Sequence, residues 1–216
     1  MSTATRLERW RGKPVYQALL LAGVALAVSL VLALAHALTL EPIALRQAED
    51  TRRALAAVLP EDLYENDPLA EQTTVGAGPG AAIRFYPARR DGALVGAAFE
   101  QVTEQGYGGP MRLLLAVDAE GELLGVRVLS HSETPGLGDK IEAARSDWIL
   151  SFEGRSLDNT PAGDWAVRKD GGAFDQFTGA TITPRAVVTA VREGLLRFAT
   201  HRPELARQAP PPETNP

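Results

Sequence analysis

Met111-Arg112-Leu113-Leu114-Leu115-Ala116-Val117-Asp118-Ala119-Glu120-Gly121-Glu122-Leu123-Leu124-Gly125-Val126-Arg127-Val128-Leu129 reads as two apolar arms around a polar turn. Leu, Val and Ala fill both arms, and Asp118-Ala119-Glu120-Gly121 supplies the turn residues, so the stretch is a β-hairpin and is expected at the centre of a sheet. Upstream, Ala82 to Tyr86 and Leu94 to Val102 read as two further strands. Gly76-Ala77-Gly78-Pro79-Gly80 and Gly106-Tyr107-Gly108-Gly109-Pro110 are loops. Downstream, Trp148 to Phe152 reads as helical and Trp165 to Val167 as extended. Thr183 to Ala199 is an amphipathic helix with Ala186, Val187, Ala190, Val191, Leu195 and Phe198 on one face, which should pack on the sheet. The fold class is therefore α+β, with a central antiparallel sheet flanked by helices.

Before the folded part lies a different kind of segment. From Val15 to Leu40 the chain is apolar apart from Tyr16, Gln17, Ser29, His36 and Thr39. About 23 helical residues at about 1.5 Å each span roughly 35 Å, enough for a bilayer core of roughly 30 Å. Ala35-His36-Ala37 resembles a signal cleavage site, but the apolar run before it is longer than the roughly 7–15 residues of a signal core, so a retained single-span anchor is expected. Arg6, Arg9, Arg11 and Lys13 precede it, against Arg46, Arg52 and Arg53 after it, a bias that points to a cytoplasmic N-terminus. Pro42 is expected to end the anchor, and Leu45, Ala48, Leu55 and Leu59 to mark a second helix reaching Pro60.

The resulting map is an N-terminal segment 1–14, an anchor 15–40, a helical stalk or linker 41–75, a domain 76–200 and a disordered proline-rich tail 201–216.

Composition excludes several functions. The 216 residues carry a net charge of −5 and include no cysteine, so disulfides, thiolate-held iron–sulfur clusters and cysteine nucleophiles are ruled out. The acidic balance argues against nucleic-acid binding. His36, His131 and His201 have no metal-ligand spacing, so no metal site is expected. His131, Ser132 and Glu133 include triad residue types, but adjacent residues on one loop point in different directions and do not make a hydrolase.

Two loops carry the chemistry. In Asp175-Gln176-Phe177-Thr178-Gly179-Ala180-Thr181-Ile182-Thr183-Pro184-Arg185, a small-residue turn leads into the helix. Thr183 is expected as its N-cap and Pro184 as its first residue, which places free backbone N–H groups near Thr181, a setting that suits a phosphate. Gly179 and Ala180 allow a bulky group to approach, and Thr181 offers a hydroxyl that can be esterified. The second loop, Ser130-His131-Ser132-Glu133-Thr134-Pro135-Gly136-Leu137-Gly138-Asp139-Lys140, follows the hairpin. Its Glu133 and Thr134 are candidates to hydrogen-bond a bound ring system and Leu137 to cover it. Trp148 and Trp165 are read as core residues, Tyr107 as a further candidate contact, and Lys140 and Arg185 as solvated charges.

The first stretch resembles the flavinylation motif of the FMN-binding domain family, Asp-x-x-Ser/Thr-Gly-Ala-Thr, and Glu133 to Gly138 resembles that family's second signature. The resemblance implies FMN joined to Thr181 by a flavin transferase that reads Asp175, Thr178, Gly179 and Ala180. More narrowly, the anchor, the domain and both motifs are similar to the G subunits of Rnf/Rsx electron transport complexes, and the Thr-Pro after Thr181 fits these better than the related NqrC subunits of sodium-pumping NADH:quinone oxidoreductases. That likeness implies an inner-membrane flavoprotein with its FMN domain in the periplasm. It would relay electrons among the other subunits of an ion-translocating complex, linked to ferredoxin or NAD(P)H or keeping a redox regulator reduced. The alternatives are an NqrC-like subunit of a sodium-pumping NADH:quinone oxidoreductase and a cofactor-free membrane-anchored scaffold.

Overall fold

A computed structural model describes residues 14–76 and 82–207. The basic residues up to Lys13, positions 77–80 of the glycine-rich loop and the tail from 208 lie outside the described residues. The chain divides into two compact units, with the boundary after Asp50.

Helix α1 spans Pro14–Ala56. Within it, Pro14–Leu34 is long and apolar enough to cross a membrane, and none of its side chains is buried, as Leu21 and Leu26 illustrate. A helix in the core of a soluble protein would bury such side chains; these lack protein cover. The expected helix break at Pro42 is corrected, because α1 runs through it to Ala56. A proline removes one backbone hydrogen bond and crowds the preceding turn, which bends a helix more readily than it ends one when neighbours such as Leu40, Glu41, Ala44 and Leu45 favour helix.

The second unit is built on a five-stranded antiparallel meander in the order β1-β2-β3-β4-β5. Its strands are β1 (Thr73–Val75), β2 (Ile83–Arg90), β3 (Ala93–Thr103), β4 (Met111–Asp118) and β5 (Leu123–Ser130). The expected hairpin is β4–β5, with Leu115 opposite Val126. Its expected place at the centre is corrected: β3 occupies the middle and β5 an edge, because β2 and the unanticipated β1 add to the other side. Strand β2 runs four residues beyond the expected Tyr86, through Pro87. Asn66 explains how the proline is accepted. Its amide donates to the Pro87 carbonyl at 2.9 Å and its carbonyl accepts from Arg89 N–H at 2.8 Å, closing the strand edge where β1 no longer covers it.

Each face of the sheet is buried. On one side Leu55, Val58 and Leu59 cover Tyr86, Ala98, Leu114 and Ala116. On the other, helix α2 (Ile182–Arg207) packs against Phe85, Phe99, Leu113 and Leu115. Phe99 and Phe198 stack with ring centroids 6.0 Å apart. Gly194 permits this approach, since a Cβ there would lie 2.7 Å from Leu115 Cδ2.

Helix α2 outlasts the expected end at Ala199, so residues 201–207 are helical and not part of a disordered tail. Leu205 is fully buried, and Arg89 Nη2 donates to its carbonyl at 2.9 Å, which holds the last turns to the sheet despite Pro203. Asp147–Phe152 forms a short 3-10 helix, as expected, capped by Ser146 Oγ accepting from Trp148 N–H. Around Trp165 to Val167 the extended reading holds only for Val167, which bridges Phe174, while Trp165 turns at ψ 53°.

Candidate functional site

Phe177–Ala180 is a tight turn, closed by Ala180 N–H donating to the Phe177 carbonyl at 3.1 Å. Gly179, its third residue, has φ +83°, a region that costs other residues dearly. Buried Phe177 anchors the turn by packing edge-on against Trp148, 5.1 Å between centroids, and Trp148 Nε1–H donates to the Asp175 carbonyl at 2.8 Å. The corner residues Thr178 and Gly179 are left exposed.

Helix α2 starts immediately after. Arg185 N–H donates to the Thr181 carbonyl at 3.4 Å, so Thr181 takes the capping position expected for Thr183, and Pro184 stands third in the helix. The N–H groups of Ile182 and Thr183 therefore precede any intrahelical acceptor, next to the Thr181 side chain. Thr183 is instead turned inward, 1% exposed, and its hydroxyl donates to Glu133 Oε2. Helix formation and burial compete for that side chain; burial prevails because a carboxylate waits inside.

The loop after β5 folds on itself through Leu137 and Gly138 N–H donating to the Thr134 carbonyl at 3.1 and 3.0 Å. Beneath it Glu133, 5% exposed, accepts from Gly108 N–H at 3.0 Å through Oε1 and from Thr183 through Oε2. Its own N–H donates to His131 Nδ1 at 3.0 Å, which leaves His131 Nε2 to donate to Glu142 at 2.8 Å.

These segments enclose a cleft of about 350 Å³. Thr181, Gly179, Ala180, Glu133, Thr134 and Leu137, six of the eight residues expected to bind a cofactor, line it. Asp175 and Thr178 do not: the first pairs with Arg168 at 3.2 Å on the surface and the second sits on the outer corner of the turn. Tyr107, 70% exposed, forms part of the rim with Leu137 and Ile182. Trp148 and Trp165 belong to the core. Arg185 reaches away to Asp170, with contacts of 2.7 and 3.0 Å, and this hydrogen bond holds the Asp170 carboxyl below its ordinary range.

Ile182, Thr183 and Gly138 also line the cleft and were not among the expected residues. An apolar side chain directly after the attachment candidate was the available signal for Ile182. Thr183 carried none, because its partner lies 50 residues away.

The cleft's size lies in the range of small-molecule sites, roughly 300–1,000 Å³. Its rim offers apolar surface for a flat ring, and its lining includes the Thr181 hydroxyl beside the first N–H groups of α2, which have no intrahelical acceptor and favour an anionic group.

Residues 106–196 match the family model of the FMN-binding domain, a range that contains every cleft residue. The chain is 54% identical over 203 residues to a protein of Cereibacter sphaeroides, covering 94% of this chain and 92% of that one. It is 52% identical over 189 residues to one of Stutzerimonas stutzeri, covering 88% and 82%, and 44% identical over 209 residues to one of Pseudomonas aeruginosa, covering 95% of each. All three are named as the G subunit of an ion-translocating oxidoreductase complex.

Proposed function

The chain belongs to the family of ion-translocating oxidoreductase complex G subunits, and from that premise we propose that it is a membrane-anchored electron relay whose FMN is esterified to Thr181. The observation that carries this reading is the position of Thr181: it heads α2, next to two N–H groups that have no intrahelical acceptor, in the cleft of an FMN-binding domain. A phosphodiester there keeps one negative charge beside the positive end of a helix. Gly179 and Ala180 give it room, and Thr134, Leu137, Tyr107 and Ile182 are placed to orient and shield a ring system.

When bound, the flavin supplies the redox chemistry, and the surrounding residues set its placement and potential. The cleft lining consists of hydroxyls, glycines, apolar side chains and one carboxylate whose two oxygens are already engaged, so it holds no free base for work on a small substrate. Relay between protein partners, the other subunits of such a complex, fits this lining best. Those partners supply the ion path and the link to ferredoxin or NAD(P)H, because the apolar span of α1 contributes no charged side chain.

A flavin transferase reads the motif from Asp175 to Thr181. The exposed corner Thr178-Gly179 and the surface carboxylate of Asp175 are accessible to such an enzyme. Pro14–Leu34 crosses the inner membrane with its basic flank in the cytoplasm, which puts the domain in the periplasm, where a covalent tether prevents loss of the cofactor.

Full-length protein made together with a flavin transferase should give a fluorescent band after denaturing electrophoresis. Thr181→Ala should abolish that fluorescence with an unchanged circular dichroism spectrum, and Thr178→Ala should only weaken it. Fluorescence retained by Thr181→Ala would refute the attachment site.

A further inference from the structure

Each oxygen of Glu133 already accepts a hydrogen bond. Oε1 is taken by Gly108 N–H and Oε2 by the Thr183 hydroxyl, and the residue is buried at the point where three segments of the cleft meet. Gly108 belongs to the loop that carries Tyr107, Thr183 lies two residues beyond Thr181, and Glu133 itself belongs to the loop of Thr134 and Leu137.

The packing around it is as tight as the bonding. A Cβ at Gly106 would lie 2.7 Å from Glu133 Oε1, and one at Gly138 would lie 2.9 Å from Glu133 Cβ and 3.0 Å from Thr183 Oγ1. At Gly108 it would collide with the Ser132 carbonyl. On the far side, the Glu133 N–H is fixed by His131, itself fixed by Glu142. A side chain held at both oxygens and at its own backbone is fitted for fixing other groups, not for turning toward a ligand.

We propose that Glu133 is a positioning residue: it binds the three cleft segments together and, by retaining the Thr183 hydroxyl in the interior, leaves Thr181 as the hydroxyl presented at the helix start. This rests on the flavin reading above. Transfer from a flavin-bearing phosphoanhydride forms the bond from Thr181 Oγ to phosphorus and breaks the anhydride P–O bond. A nucleoside monophosphate leaves, and the hydroxyl proton passes to the transferase; no electrons change hands. The same transfer to Thr183 would first require its bond to Glu133 to break.

The test uses the full chain in detergent, a flavin transferase and FAD, with Glu133→Gln, Glu133→Ala and Thr183→Val compared with wild type. Before labelling, amide exchange in the peptides covering 106–110 and 181–186 should accelerate by about tenfold or more in Glu133→Ala, the effect of losing local hydrogen bonds. Labelling at Thr181 should slow to a similar degree. Glu133→Gln should restore most of both, since an amide can still accept from Gly108 N–H and donate to Thr183 Oγ. Thr183→Val should accelerate exchange at 181–186 alone.

If Glu133→Ala does not fold, the Gln and Val variants decide. Exchange in Thr183→Val that matches wild type would overturn the proposal. So would a Glu133→Gln protein with wild-type exchange whose bound flavin shows a shifted visible spectrum, the sign of direct contact. If even wild type takes no flavin, the reading of Thr181 fails, while the exchange data still judge Glu133.

Discussion

Two glycines, one lining the cleft and one bonded to Glu133 behind it, serve different ends, and substitution should separate them. Gly179 needs its backbone angle, φ +83°, but has space, since the nearest atom to an added Cβ is Leu137 Cδ2 at 3.6 Å. Gly179→Ala should therefore cost about 1–2 kcal/mol, the usual penalty for a side chain in that region, and lower the thermal midpoint by a few degrees. Gly108→Ala faces the Ser132 carbonyl and the Glu133 N–H, so it should lower the thermal midpoint further. The Asp170–Arg185 pair makes the opposite kind of claim. Because the pair holds the Asp170 carboxyl low, its contribution is present above the ordinary carboxylate pKa and is lost as pH falls through the lowered value. Both partners are solvent-exposed, so Asp170→Asn should leave the thermal midpoint at neutral pH almost unchanged.

At the scale of elements, the end of α2 depends on a contact that local sequence does not reveal. Leu205 is buried and its carbonyl accepts from Arg89, 116 residues away. Leu205→Ala should cost about 2–5 kcal/mol in chemical denaturation, as for other buried leucines. Arg202, Pro203 and Glu204 read as the start of a tail because the one apolar residue that anchors the turn is flanked by charge and proline. The same limit hid β1, whose three residues are too few to show an alternation, and misplaced the centre of the sheet. By contrast the β4–β5 hairpin and the apolar face of α2 were legible, since each depends on a repeat within one continuous stretch. Pro42 misled in the other direction: a residue that weakens a helix reads as its end.

For the molecule as a whole, the two sequence motifs were visible because each is contiguous, and the sheet and α2 bring them into one cleft. What joins them was not visible, because Glu133 meets partners 25 and 50 residues away and its two bonds have no signature in spacing. Its expected part as a flavin contact is joined by a second one: it lines the cleft while each of its oxygens accepts from another segment. The proposed topology makes a separate prediction: protease added to spheroplasts should digest the domain, and full protection would place it in the cytoplasm. The most direct measurement is the mass of the intact protein from its native membrane, followed by sequencing of the peptide that spans Asp175 to Arg185. One FMN phosphodiester on Thr181 is the predicted result; unmodified polypeptide, or flavin on another residue, would contradict it.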